Sequence, residues 1–401
     1  MTIARSLTPL FAFAVLGAAG CAADDGATSY SGQAGTETDG NGTGGDGGGP
    51  GGDGGDGGDG ANTSGGSGGT DAGDQGDADA DTDAGPDSDG EETGERTGLD
   101  CLNDQFVNGG SPGPDYTEFD VPVGKHCQGT SQQDITGVER IVFIGDSVTV
   151  GTPPVAGSQV YRSIVAVSLA DTFGLEAPSS DWQGYNLING DPIEAESGSF
   201  AQCARWGGRN DDLQGQLEQC FGPEDLDLRT LIVMTSGGND VSAMVTDAID
   251  GAPVANLFED LELMVEHHRE AMEWIVEEGR FPNGVFVVNA NVFEFTDYTA
   301  QVTSCPSSVL AGFSSDPPNT DILLGSLNLI NEEYMQVAID TGTDIAFMFE
   351  TMCGHGFNAA DPSNVCYRGA GNENWFDGTC IHPTPAGHAA VAEMFLNVIT
   401  Q

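Results

Sequence analysis

The sequence predicts an α/β fold, a parallel sheet wrapped by helices, and three observations lead there. Four apolar runs of strand length recur along the chain: Arg140-Ile141-Val142-Phe143-Ile144, Leu231-Ile232-Val233-Met234, Val285-Phe286-Val287-Val288 and Ile345-Ala346-Phe347-Met348-Phe349. The first is continuously apolar up to Gly145 instead of alternating, the pattern of a strand buried on both faces. Stretches with helical character stand between or after the runs, near Gln159 to Phe173, Val254 to Glu278, Asp321 to Asp340 and Pro385 to Val398. Strand and helix in alternation imply parallel strands joined by helical crossovers. In such sheets ligands gather at the C-terminal ends of the strands, so the polar residues just past each run are the ones to search for chemistry.

The residues before this pattern have another character. Arg5 lies in a short basic region, an apolar run spans Leu10 to Leu16, and Gly17-Ala18-Ala19-Gly20 precede Cys21, which reads as a signal peptide over residues 1–21. A cysteine directly after Ala-Gly resembles a bacterial lipobox, in which Cys21 would be lipidated, although Ala18 stands where that pattern usually has leucine. An ordinary secretory signal cut nearby is the plainer alternative. Residues 22–98 are Gly, Asp, Ser, Thr and Ala with almost no large apolar side chain, so they cannot bury enough surface to offset chain entropy and are expected to form a disordered tether. The run at 51–60 invites comparison with calcium-binding Gly/Asp repeats, but it lacks the aliphatic residue each turn of such a repeat needs. A tether of this length reaches roughly 45–50 Å on average. Residues 99–401 are left as a single catalytic-sized domain, opening with a lead-in from Cys101 to Cys127.

Charge and cysteines narrow the function classes. The 401 residues carry 63 acidic against 11 basic side chains, a net charge of -52, and about a third of the acids fall in the tether, where Arg96 is the one basic residue. A surface so acidic repels phosphate backbones, which argues against nucleic acid and favours neutral substrates. Setting Cys21 aside leaves eight of the nine cysteines, an even number that fits four disulfides in an oxidising compartment. No CxxC occurs, so a zinc site has no spacing to support it, and neither metal nor cofactor is expected.

Four segments at strand ends or loops carry the chemistry. Gly145-Asp146-Ser147 follows the first strand and would place a serine at the sheet's crevice, although Asp146 or Ser147 could simply cap the next helix. Ala204-Arg205-Trp206-Gly207-Gly208-Arg209-Asn210 offers a glycine N–H ahead of a helix. Gly237-Gly238-Asn239-Asp240 follows the second run and supplies a side-chain amide, or else a plain Gly/Asn turn. Cys380-Ile381-His382-Pro383-Thr384-Pro385 sets a histidine just ahead of a proline-started helix. Each has an ordinary structural reading alone; the four in this order resemble the SGNH/GDSL hydrolase superfamily of esterases and lipases, from about Arg140 to the C-terminus.

The resemblance implies a three-layer α/β/α sandwich with a mostly parallel, flavodoxin-like sheet. It also implies Ser147 as nucleophile and His382 as base, because a serine hydroxyl is a poor nucleophile without one. The oxyanion hole would comprise the Ser147 N–H, a glycine N–H from Gly207 or Gly208, with Gly207 the first choice, and the Asn239 side chain. The family's aspartate three residues before the histidine is here Thr379, and Asp377 stands five before. Either a disulfide at Cys380 bends the loop so that Asp377 reaches the imidazole and completes a triad, or a backbone carbonyl orients the ring. His267 and His268 lie in a helical pattern, His388 falls within the last helix, and His355, in a Cys/Gly loop, is a candidate substrate contact.

The expectation is therefore a secreted, lipid-anchored carboxylic ester hydrolase, monomeric and held at the cell envelope on its tether, acting on a small-molecule or glycan acyl ester. The competing class is a non-catalytic surface module that binds carbohydrate or protein on the same fold. Few strongly apolar loop stretches flank the motifs, which argues against a triglyceride lipase with a hydrophobic lid.

Overall fold

A run of six residues without one exposed side chain, Arg140–Gly145, forms the first strand, β1, at the middle of the sheet. The computed structural model describes residues 105–401 and Leu102, all within one compact unit, Ser88–Gln401. The expected signal segment, Cys21 and the 22–98 tether lie outside the described residues. After β1 come a single helical turn α1 (Ser147–Val150), α2 (Tyr161–Phe173), a second short turn α3 (Ser180–Gln183), β2 (Glu196–Ser197), β3 (Phe200–Gln202) and α4 (Leu213–Cys220). Then follow β4 (Thr230–Thr235), α5 (Gly238–Ile249), α6 (Val254–Val276), β5 (Val285–Ala290), α7 (Thr320–Thr341), β6 (Asp344–Ala346), α8 (Met348–Met352) and α9 (Pro385–Ile399).

The sheet order is β2-β3-β1-β4-β5-β6, parallel throughout except for the two-residue β2, which runs antiparallel to β3 at the edge. Without β2 the strands read second, first, third, fourth, fifth, the flavodoxin-like order, whose switch point lies between β1 and β4. Because side chains alternate across a strand, β1 divides its apolar residues between two cores. Ile141 and Phe143 join Leu231, Val233 and Val288 under α2 and α9. Val142 and Ile144 join Ile232, Met234 and Val287 under α4, α6 and Val337 of α7. The result is a three-layer α/β/α sandwich.

One expected strand is shorter than its apolar run. Of Ile345 to Phe349 only the first two residues belong to β6; the Phe347 N–H leaves the ladder to donate to the Gln128 carbonyl (2.8 Å), and Met348 begins α8. Burial explains the misreading, since Ile345 to Phe349 all sit in the interior and a buried helix start looks like a buried strand. Three disulfides join described residues: Cys203–Cys220, Cys305–Cys380 and Cys353–Cys366.

The lead-in to β1 is fastened by Asp344. This fully buried carboxylate accepts from Thr130 Oγ1 (2.7 Å), Gln132 N (2.7 Å), Gln133 N (3.2 Å) and Gln133 Nε2 (2.9 Å). Asp344→Ala strands several donors at once, and a loss of about 3 kcal/mol is expected in urea unfolding of the full chain; an unchanged midpoint would show that 130–133 is held by something else.

Candidate active site at the switch point

The site is built where β1 and β4 end side by side. Gly145 closes β1 at φ 130, and a Cβ there would lie 1.9 Å from the Thr235 carbonyl oxygen, so glycine is required by conformation and by space. Its N–H donates to Gln216 Oε1 (2.7 Å), while its carbonyl accepts from Gln216 Nε2 (2.9 Å) and from Arg205 N (3.2 Å). One buried glutamine of α4 thus holds the strand end, and the 205–208 loop docks on the same peptide. Asp146 caps α1: its Oδ1 accepts from Val148 N (2.9 Å) and Thr235 Oγ1 (3.0 Å), tying the turn to β4. Burial pushes the Asp146 carboxyl up to about 6.

Ser147 opens that turn, so its N–H is one of the free donors of a helix start and has no acceptor among the described residues. Its Oγ stands 2.9 Å from His382 Nε2. The histidine arrives on a tight hairpin in which Phe376 bridges Pro383 and Asp377 N donates to the His382 carbonyl (2.9 Å). Thr384 then caps α9 with Pro385 at its first turn.

Asn239, in the first turn of α5, donates from Nδ2 to the Gly208 carbonyl (2.8 Å). Gly208 lies close enough to Gly145 that a Cβ on it would sit 2.8 Å from the Gly145 carbonyl oxygen, and its own N–H turns back to Arg205 O (3.1 Å). The Gly207 N–H has no acceptor among the described residues. Asn210 anchors the loop from below, donating from Nδ2 to Met264 O (2.8 Å) and the Tyr334 hydroxyl (2.7 Å) and from N to Asp240 (3.2 Å). The sequence pointed to the glycines and to Asn239, but assigned no role to Gln216 or Asn210.

Asp377 is not on the imidazole. Both expected ways of orienting the ring are replaced: His382 Nδ1 meets the Thr379 hydroxyl at 2.7 Å, and that hydroxyl lies 2.5 Å from Asp377 Oδ1. Cys380 is disulfide-bonded, to Cys305, and takes a left-handed φ of 74. The bend brings Thr379, not Asp377, against the ring. His355 is also displaced from its expected role: it stacks on Trp375 with Nδ1 against the Glu373 carbonyl (2.8 Å) and does not line the cavity beside Ser147.

That cavity lies between the Ser147–His382 pair and the segments after β5. Phe293, Phe295, Val302, Phe313, Leu327 and Val245 wall it, so apolar loop residues do flank the site, contrary to the sequence expectation. Glu294 on the wall accepts from the Thr296 and Tyr298 N–H groups, and burial raises its carboxyl to about 7. Among the described residues no cluster of His, Cys, Asp or Glu is arranged to hold a metal ion. A serine hydroxyl on an imidazole nitrogen, beside free N–H groups and an apolar cavity, is equipped for nucleophilic attack on an acyl carbon.

A GDSL-like lipase/acylhydrolase family model matches residues 141–395. Among solved structures, the chain is similar to phospholipase A1 from Streptomyces albidoflavus NA297, at 17% identity over 66% of this chain and 98% of that one, with a TM-score of 0.40. It is similar to an extracellular lipase from Streptomyces rimosus, at 16% identity over 66% and 99% of the two chains and a TM-score of 0.39. It is similar also to a lipase from a goat rumen metagenome, at 13% identity over 65% and 96% and a TM-score of 0.42. No curated protein matches it.

Burial lowers the His382 pKa from the ordinary 6.5, and the attraction of Asp377, which raises it, is the smaller effect. The ring can accept a proton from Ser147 only when neutral, so Ser147 reactivity is full above the imidazole pKa and lost below it. Labelling by a fluorophosphonate probe should therefore fall with a midpoint below pH 6.5. A midpoint at or above 7 would contradict the balance of burial and charge at this ring.

Proposed function

The chain belongs to the GDSL-like lipase/acylhydrolase family and is a carboxylic ester hydrolase; on that premise we propose that it cleaves esters of apolar acyl chains, with Ser147 as nucleophile and His382 as base. The observation that carries the acyl preference is the cavity of aromatic and aliphatic side chains that opens on the Ser147 hydroxyl. A glycan or other alcohol portion would then lie on the side of the pair away from this cavity. In the reaction His382 Nε2 takes the Ser147 proton as Oγ attacks the carbonyl carbon, and the oxygen of the tetrahedral species takes up the negative charge. The Ser147 N–H, the Asn239 amide and a glycine N–H of the 207–208 pair are the donors for it, and Gly207 has its N–H free for the purpose. Collapse passes the proton from His382 to the leaving alcohol, and water, activated by the same ring, releases the acid.

The wider setting rests on the sequence. We place residues 1–21 as a signal peptide ending in a lipidated Cys21, residues 22–98 as a tether and residues 99–401 as the hydrolase domain, monomeric and held at the periplasmic or outer surface of the cell envelope. Among the described residues no helix is long and apolar enough to cross a membrane; in this reading the Cys21 acyl groups are the anchor.

A p-nitrophenyl ester series tests the acyl preference. From acetate upward kcat/KM should rise roughly fourfold per added methylene, equivalent to ~0.8 kcal/mol of burial, until the cavity is full. Val245→Phe, which fills part of it, should move the optimum toward acetate. A flat or falling series in the wild type would remove the apolar acyl chain from the proposal, and activity surviving in Ser147→Ala would remove the nucleophile. For the anchor, Cys21→Ala should leave the processed protein in the soluble fraction; persistence on membranes after a salt wash would overturn the lipid attachment.

A further inference from the structure

The hairpin that carries His382 holds a hydroxyl where the family pattern has a carboxylate, and the hydrogen-bond inventory of that hydroxyl dictates which way it faces. Thr379 Oγ1 has one proton to give and lies 2.5 Å from Asp377 Oδ1 and 2.7 Å from His382 Nδ1. Asp377 Oδ1 also receives the Thr379 N–H at 2.7 Å, which marks it as an accepting carboxylate oxygen. The Thr379 proton therefore points to Asp377, and the oxygen is left with lone pairs alone toward the imidazole. Nδ1 must then carry the ring proton and donate it to Thr379, which leaves the Nε2 lone pair facing the Ser147 hydroxyl at 2.9 Å. That is the tautomer a general base needs.

We propose that Thr379 is a positioning residue, a hydroxyl relay through which Asp377 fixes the tautomer and orientation of His382, so that the chain runs Ser147, His382, Thr379, Asp377 in series. The proposal rests on the Ser147/His382 reading above. Both donors that reach the Asp377 carboxylate among the described residues, the hydroxyl and the N–H, belong to Thr379, and its Oδ2 is buried without a partner. The hairpin is made for this arrangement: Asp377 N donates to the His382 carbonyl and Cys380 N to the Asp377 carbonyl (3.1 Å), while the Cys305 disulfide holds the left-handed Cys380 that follows Thr379. The titratable groups near the ring are Asp377 behind Thr379 and His388 on α9, with Asp146 and Glu294 on the lining of the same cavity. Of these, Asp377 is the one whose charge raises the proton affinity of His382.

The test uses the full chain and p-nitrophenyl butyrate. Thr379→Val keeps the shape and removes the hydroxyl, and kcat should fall on the order of 100-fold or more with KM within about twofold, the pattern of a lost transition-state interaction. Thr379→Ser restores the hydroxyl and should return to within about threefold of wild type. Asp377→Asn should lower kcat comparably and move the acid limb of kcat/KM to lower pH, because the charge that favours the imidazolium is gone. Groups acting in series are not additive, so the double variant Thr379→Val/Asp377→Asn should be no worse than the poorer single variant. Near-wild-type kcat in Thr379→Val, failure of Thr379→Ser to recover, an unmoved acid limb in Asp377→Asn, or multiplied losses in the double variant would each overturn the relay. Ser147→Ala separates the two readings: if it is inactive while Thr379→Val is not, only the relay falls, and if it stays active the nucleophile assignment falls first.

Discussion

The approach of two strand ends governs this molecule. β1 and β4 run in register from Arg140 against Thr230 to Gly145 against Thr235, and at the last pair the backbones come so close that no side chain fits on Gly145. The glycine peptide is then free to bind others: Gln216 takes its N–H and carbonyl, Arg205 shares the carbonyl, and Asp146 reaches across to Thr235. Ser147 and Asn239 emerge from adjacent strands at the switch point of the sheet, and each of these contacts reduces the freedom of one to move relative to the other. A hydroxyl network continues inward from there, with Thr149 Oγ1 at 2.7 Å from Thr235 Oγ1 and 2.6 Å from the Tyr161 hydroxyl. The geometry of the site is thus a property of backbone packing more than of the reacting side chains themselves.

That origin explains what could be read in the sequence. Strands buried on both faces are written as unbroken apolar runs, and three of the four runs became strands close to their expected bounds. β3 escaped because Phe200–Gln202 is too short for a period to show, and α5 because it begins on glycines and leaves only Met244 and Ala248 fully buried. The end of β6 was misjudged because the interior there is apolar on all sides. Serine, asparagine and histidine were legible since they stand directly at strand ends or before a helix, where local sequence decides position. The cavity wall was not, because Phe293, Val302, Phe313, Leu327 and Val245 come from separate segments and meet only in the fold.

The hairpin at Thr379 was the least legible part, for a related reason. Counting back from His382 finds a threonine at the family's acidic position, and nothing in the residues 377–382 reveals that the hydroxyl faces both ways. The answer depends on Cys305, 75 residues away, which fixes Cys380, and on Asp377 folding back onto the Thr379 N–H. A spacing rule built on a direct carboxylate contact fails when a side chain with one donor and two lone pairs is interposed.

Interposition also has an electrostatic consequence. Burial alone disfavours the charged imidazolium, and a carboxylate in direct contact would oppose it strongly because Coulomb attraction falls with distance. With Thr379 between them, Asp377 still favours the charged ring but does not outweigh burial, so His382 stays below its ordinary pKa. In the proposed mechanism the ring is then neutral, and able to accept, over a wider acidic range, while the imidazolium that would form during attack is stabilised less. Around it Asp146 and Glu294 are held up to about 6 and 7 by burial. Their charge fades as the medium becomes mildly acidic, so they add little negative potential near the forming oxyanion under those conditions.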